Sequence, residues 1–318
     1  MHVGAPKSAS TTIQAGLAQN RAMLMAQGIV IPPDIGAPVA SSESHGRLAE
    51  SLGGASTDPT RFDDHLMQFA EGAETIVLSA ENFAEATKIA AMCRSRFLAR
   101  SDVRVLFCVR PQAQWFEAAW WQWFHWERPA LTVSEKLRDQ LSCGAMDWAS
   151  TAARLGEIPG VTSVAVVPVD LQDPQDFLMR KVLGISEYDA VPSARTRLPN
   201  VVVALYERFA ELRPGPHDNA MDDAIRVMMG PALQGFAGTP AVMSRPDIEM
   251  LAETVYLDNI QLIRYLDNSI FDAFVHEVAW HTPIVRSLRP ATARPEVRAS
   301  IDEFTEFAAA LLKAARHA

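Results

Sequence analysis

Cysteine is scarce in this chain, and the scarcity narrows what the protein can be. Cys93, Cys108 and Cys143 are the only thiols in 318 residues. They are too few and too irregularly spaced for a disulfide scaffold or a zinc cluster, so no metal is expected and a reducing compartment fits best. Positive charge is also in short supply: 29 Lys and Arg against 38 Asp and Glu leave a formal charge of −9 and a pI near 5.4. A surface of that sign does not suit nucleic acid, and an anionic ligand must be held by a local basic pocket. No apolar run approaches the roughly 18–20 residues of a membrane span, and the start shows neither the basic nor the apolar region of a signal peptide. The expectation is a cytoplasmic protein with no membrane span and no nucleic-acid partner. Glycine-rich phosphate loops are missing as well. No stretch reads G-x-x-x-x-G-K-[ST], and no carboxylate stands in a motif committed to magnesium.

What is present is an alternation of strand and helix patterns. Strand-like runs occupy the first residues and then 29–31, 75–79, 103–109 and 161–169. Helical periodicity fills about 11–27, 45–52, 59–71, 84–98, 112–127 and 174–183, with Ser10, Asp58 and Asp147 as candidate N-caps and Thr132 to Glu135 as a capping box. After Gly184 only helix and loop patterns remain. This predicts an α/β fold, a parallel β-sheet flanked by helices, with an all-helical C-terminal part. The expected division is a core over 1–190 and a helical extension over 191–318 packed on the same domain. Five of the seven tryptophans fall between 112 and 127, more than one buried helical stripe accommodates, so some are expected in solvent. Exposed indoles can stack on sugar rings or line an apolar acceptor pocket.

The chemistry concentrates at the ends of strands. His2, Val3 and Gly4 lead through Ala5, Pro6 and Lys7 into a helix whose first turn holds Ser8, Ala9, Ser10, Thr11 and Thr12. A turn feeding a helix N-terminus presents unpaired backbone N–H groups and the positive end of the helix dipole. With one lysine and four hydroxyls it reads as an anion cradle. Two later strand patterns end in Glu81 and Arg110. In an open parallel sheet ligands bind beyond the carboxyl ends of the strands, so Lys7, Glu81 and Arg110 can meet there. The Pro- and Ser-rich stretch 32–44 is long enough for a substrate lid.

These residues resemble the sulfotransferases that use 3′-phosphoadenosine 5′-phosphosulfate (PAPS), above all bacterial members that begin H-[IV]-G-x-x-K-[ST]-G-[ST]-T-x-[IL]-Q. The pattern runs from His2 to Gln14, with Ala9 where glycine is usual. A second similarity is the strand ending Val109-Arg110-Pro111 ahead of a helix. In relatives that arginine and a serine eight residues on grip the 3′-phosphate of the donor; here the serine position is Ala118. Leu78-Ser79-Ala80-Glu81-Asn82-Phe83 is similar to the family's S-S-E-N-[FL] strand end, and Asp170 with the run 176–185 looks like its middle segment.

The resemblance implies a P-loop NTPase-like fold of sulfotransferase type and a metal-independent transfer of a sulfuryl group from PAPS to a hydroxyl or amine of a carbohydrate or small-molecule acceptor. Lys7 would stabilise the leaving oxygen, and Pro6 to Thr12 would hold the 5′-phosphate. Arg110 with the Ala118 position would take the 3′-phosphate, with Arg195 and Arg197 covering the donor. A partly desolvated carboxylate can serve as a base near neutral pH, which makes Glu81 the candidate base and His45 the reserve. Two alternatives stand beside this reading: a nucleotide-binding or interaction protein of little or no activity on the same scaffold, and a nucleotide kinase, which would require magnesium and ATP. The acceptor and the oligomeric state are not written in the chain.

Overall fold

The computed structural model describes residues 1–5, 8–35, 44–53, 57–127, 129–192, 199–216, 218, 220–236, 241–277, 280 and 299–315. The chain forms two compact units. One comprises Met1–Trp115, Met146–Ala194 and Thr254–Thr282, the other Phe116–Ala145, Arg195–Glu253 and Pro283–Ala318. A single cut near residue 190 does not describe this division, because residues 116–145 group with later segments and 254–282 with the sheet.

In the first unit β1 (His2–Gly4) is followed by α1 (Ser10–Gln19), α2 (Arg21–Ala26) and β2 (Ile29–Val30), then by α3 (Gly46–Glu50), α4 (Thr60–Ala70), β3 (Thr75–Ile76), β4 (Ser79–Ala80) and α5 (Ala86–Met92). Next come β5 (Val103–Val109), α6 (Gln112–Gln122), α7 (Val133–Ser142), α8 (Trp148–Gly156) and β6 (Val161–Pro168); α7 and most of α6 belong to the second unit. Strands β4, β1, β5 and β6 form, in that order, one all-parallel sheet flanked by helices, while β2 and β3 make a separate parallel pair. After β6 the described residues form no further strand. In β5 every residue but Arg104 is buried. Such a continuous apolar run is what a strand covered on both faces requires. On one face Leu106 and Cys108 pack with Ile13, Leu17, Val167 and Leu178. Phe107 meets Trp148 edge-on at 6.3 Å, and Trp148 meets Trp115 likewise at 5.8 Å.

Several local expectations are corrected. The helix over 11–27 breaks at Asn20, whose side-chain amide donates to Gly16 O and Asp189 O while Asp189 N–H donates to its Oδ1, all at 2.8 Å. These bonds to a distant loop outweigh continuous helix propensity. The run 75–79 is not one strand. Its first residues pair with β2, Val77 N–H donates to Val30 O, and the chain then steps onto β1, where Leu78 O accepts from His2 N–H at 2.7 Å. Asp147 precedes α8 without capping it. Asp258 does so instead, accepting from Ala149 N–H at 2.8 Å and Ser150 N–H at 3.0 Å.

In the second unit the expected capping box at the start of α7 is present: Glu135 N–H donates to Thr132 Oγ1 and Thr132 N–H to Glu135 Oε2. The aromatic segment differs from expectation. Trp115, Trp120, Trp121 and Trp126 are all buried, and Trp123 is half-buried. After Gln122 the helix gives way to a 3₁₀ turn, Phe124–Trp126, which turns the last indoles out of the helical stripe. Trp126 there packs edge-on against Tyr206 at 6.0 Å. The Glu117 carboxylate accepts backbone bonds from Val242 and Met243. No helix among the described residues is long and apolar enough to cross a membrane.

Candidate functional site

Because the four-stranded sheet is all-parallel, the carboxyl ends of β4, β1, β5 and β6 share one edge. Gly4, Glu81, Arg110 and Asp170 sit at or just beyond those ends. Strand β1 lies between β4 and β5, so the turn that follows it opens at an interior position of that edge, where Ala5 N–H donates to Cys108 O at 2.9 Å. Pro6, Lys7, Arg195 and Arg197 lie outside the described residues. On the far side of the turn Ser8 N–H closes onto Ala5 O at 3.0 Å. The N-cap of α1 is Ala9, not Ser10, and it supplies no side-chain cap.

Ala9 is the only described non-glycine residue with positive φ, at φ 64° and ψ 14°. A Cβ in this left-handed region costs about 1–2 kcal/mol. Glycine would adopt this conformation without that cost. Ala9→Gly is therefore expected to stabilise the fold by about 0.5–1 kcal/mol, the relief of strain less the entropy glycine adds to the unfolded chain. A higher urea midpoint at unchanged slope is the result to look for. An unchanged or lower midpoint would contradict the left-handed turn.

The hydroxyls around Ala9 are sealed in. Ser8 is 0% and Ser10 3% exposed, and neither Oγ has a hydrogen-bond partner among the described residues. Thr12 is buried and Thr11 half-buried. A buried hydroxyl without a partner costs roughly 1–3 kcal/mol. Two such groups flanking one residue at a helix start form a donor pair suited to anionic oxygens.

Gly4 brings the remaining groups together. A Cβ built there would lie 2.5 Å from Ser10 Oγ, 3.6 Å from His2 Nε2 and 3.9 Å from Glu81 Cγ. The absent side chain leaves room where a hydroxyl, an imidazole and a carboxylate-bearing chain converge. Sequence reasoning used His2 only as part of a pattern; its alternation with Gly4 along β1 was the signal that both face the same side. His2 is fully buried, with Nδ1 2.8 Å from Ser79 Oγ and Nε2 without a partner among the described residues. Burial pushes its pKa down to about 3, so the ring is neutral at physiological pH.

His45 is placed differently. Its Nδ1 accepts from Ser79 N–H at 3.0 Å and its Nε2 lies 2.8 Å from Pro32 O. That pairing puts the proton on Nε2 and commits both nitrogens to holding β4 and the 32–34 segment. With Nδ1 accepting and Nε2 donating, His45 has no ring nitrogen open to take up a further proton. Arg110, half-buried, follows β5, and its carbonyl accepts from Trp148 Nε1 at 3.0 Å; beyond β6, burial pushes the Asp170 carboxyl above its ordinary range, against a smaller opposing pull from the Arg110 charge. Ala118 is half-buried on α6, in the second unit. The structure thus gathers Ser8, Ser10, His2 and Glu81 around the end of β1, with Arg110 on the neighbouring strand and His45 in a supporting position. Compared with protein-family models, with curated proteins and with solved structures, the chain matches none.

Proposed function

We propose that this chain is a sulfotransferase of P-loop type, moving a sulfuryl group from PAPS to a hydroxyl or amine of a carbohydrate or small-molecule acceptor. The observation that carries the reading is the pair of buried hydroxyls, Ser8 and Ser10, which have no hydrogen-bond partner among the described residues and flank left-handed Ala9 at the start of α1. They fit the oxygens of a 5′-phosphate, with Glu81 beside them at the end of the next strand. PAPS supplies the activated sulfuryl group. Ser8, Ser10 and the first amides of α1 bind and orient the phosphate, and the helix dipole favours its charge. Lys7 sets a cation against the charge that develops on the bridging oxygen as its bond to sulfur breaks. Glu81 takes the proton from the acceptor oxygen or nitrogen as the new bond to sulfur forms. Arg110 holds the 3′-phosphate with its planar fork. Neutral His2, bonded to Ser79, fixes the end of β4 from which Glu81 projects.

Titration calorimetry with adenosine 3′,5′-bisphosphate, without added metal, tests this. Saturable binding is expected, much tighter than that of adenosine 5′-phosphate, which lacks the group assigned to Arg110. Absence of binding, or preference for magnesium-ATP, sinks the reading. Binding without turnover across a broad acceptor panel is the result the interaction-protein alternative requires.

A further inference from the structure

His2 carries one ring nitrogen that the fold leaves unpaired. The parallel register of β1 and β4 sets His2 opposite Ser79, and its Nδ1 lies 2.8 Å from Ser79 Oγ. Gln14, one turn into α1, donates its side-chain amide to the same oxygen at 3.3 Å. The ring is fully buried and neutral at physiological pH, so it holds a single proton. With that proton on Nδ1, Ser79 Oγ would accept twice, and its own O–H would face no acceptor among the described residues. With the proton on Nε2, Ser79 donates to Nδ1, and only the Nε2–H remains without a partner among those residues. Each buried unpaired group costs free energy, so the second arrangement is the stable one. It turns a buried donor away from β4, ready for a ligand oxygen.

We propose that His2 Nε2–H contacts the sulfuryl group itself, donating to one of its oxygens between the start of α1 and Glu81. The placement comes from Gly4, two residues on along the same face of β1. A Cβ built on Gly4 marks a point 3.6 Å from His2 Nε2, 2.5 Å from Ser10 Oγ and 3.9 Å from Glu81 Cγ. A side chain there would stand between the imidazole, the hydroxyl and the carboxylate-bearing chain; without one, the three face a common space. Ser10 stands on the phosphate side, at the helix start, and Glu81 on the side where the acceptor loses its proton. What lies between a 5′-phosphate and an acceptor is the sulfuryl group. During transfer its sulfur gains a bond to the acceptor oxygen or nitrogen. The bond to the bridging oxygen breaks and leaves adenosine 3′,5′-bisphosphate, while the acceptor's proton passes to Glu81. His2 exchanges no proton. It offers a neutral donor, held in place by β4 and α1, to oxygens that stay anionic throughout. The contact rests on the sulfotransferase reading, in which His2 otherwise serves only to hold β4.

Nitrogen NMR of the full chain with isotope-labelled histidine tests it, once the His2 ring is assigned. In the free protein Nε2 is expected to carry the proton and Nδ1 none. PAPS without acceptor should shift the Nε2–H resonance and slow its exchange with water about tenfold or more, whereas adenosine 3′,5′-bisphosphate, which lacks the sulfuryl group, should slow it less than about twofold. By titration calorimetry His2→Leu should lose about tenfold in affinity for PAPS and less than about twofold for the bisphosphate. His2→Gln, whose side-chain amide can donate in place of Nε2, should recover most of that loss. A proton on Nδ1, an Nε2–H that responds alike to the two nucleotides, or an equal loss for both in His2→Leu overturns the proposal. The NMR outcomes need only the parent chain, so they decide the matter even if the variants fail to fold. If both nucleotides bind and the Nε2–H ignores the sulfuryl group, His2 alone leaves the chemistry. If neither binds, the sulfotransferase reading fails and the contact falls with it.

Discussion

On the proposed reaction, Lys7→Ala is expected to lower the rate of sulfuryl transfer on the order of 10²–10³-fold or more, with the fold unchanged. The size follows from where the charge acts. A donor aimed at charge that exists only in the transition state stabilises that state without tightening the ground state, and removing one such neutral donor already costs about 10²–10³ in rate. The loss should therefore appear mainly in kcat, while adenosine 3′,5′-bisphosphate still binds through Ser8, Ser10 and Arg110. No residue of the described core is altered, so the circular dichroism spectrum and urea midpoint should match the parent. A variant that keeps its rate would remove Lys7 from the chemistry, and one that also loses its fold would make the lysine structural.

The largest stability effect is expected from Asp222→Ala, in the second unit. Asp222 and Arg213 are each 3% exposed, and their side chains meet at 2.5 Å. Asp222 Oδ1 also accepts from the Tyr206 hydroxyl at 2.8 Å. The guanidinium donates to Gln122 O and lies 5.2 Å from the Trp126 ring centroid. Burial first, and then the Asp222 charge, push the Tyr206 phenol far above its ordinary range, so it remains a donor. Removing Asp222 leaves a guanidinium and a hydroxyl facing a cavity inside the protein. Breaking one side of a buried ion pair costs about 3–5 kcal/mol, because the remaining charge keeps its desolvation penalty. The double variant Arg213→Met with Asp222→Leu removes both charges and should cost clearly less. Equal losses for the single and double variants would show that packing, not the unpaired charge, sets the cost.

The features legible in the sequence are those in which a few neighbouring residues decide their own conformation. The apolar run of β5 marked a strand, and the alternation of such runs with helical ones marked a parallel sheet. Thr132 and Glu135 marked a helix start, because their reciprocal bonds close within four residues. Gly28 marked a helix stop, and it has φ 73°. Glu81 and Arg110 were marked as strand-end residues, and the all-parallel order of β4, β1, β5 and β6 does bring those ends to one edge.

Other features rest on partners far away in the chain, and there local reading failed. Asp147 has the composition of a cap, yet Asp258 makes the bonds, more than a hundred residues later. The tryptophans looked too many for one stripe, but a 3₁₀ turn buries the last of them against another segment. His45 looked like a spare base until Ser79 and Pro32 were found on its two nitrogens. The sequence by itself determined the α/β class, the parallel pairing and a helix start shortly after β1, since these follow from periodicity and from turn chemistry. Only the tertiary structure decided that Ser10, His2 and Glu81 converge where Gly4 has no side chain. Such a meeting depends on strand order and register, which local patterns do not encode.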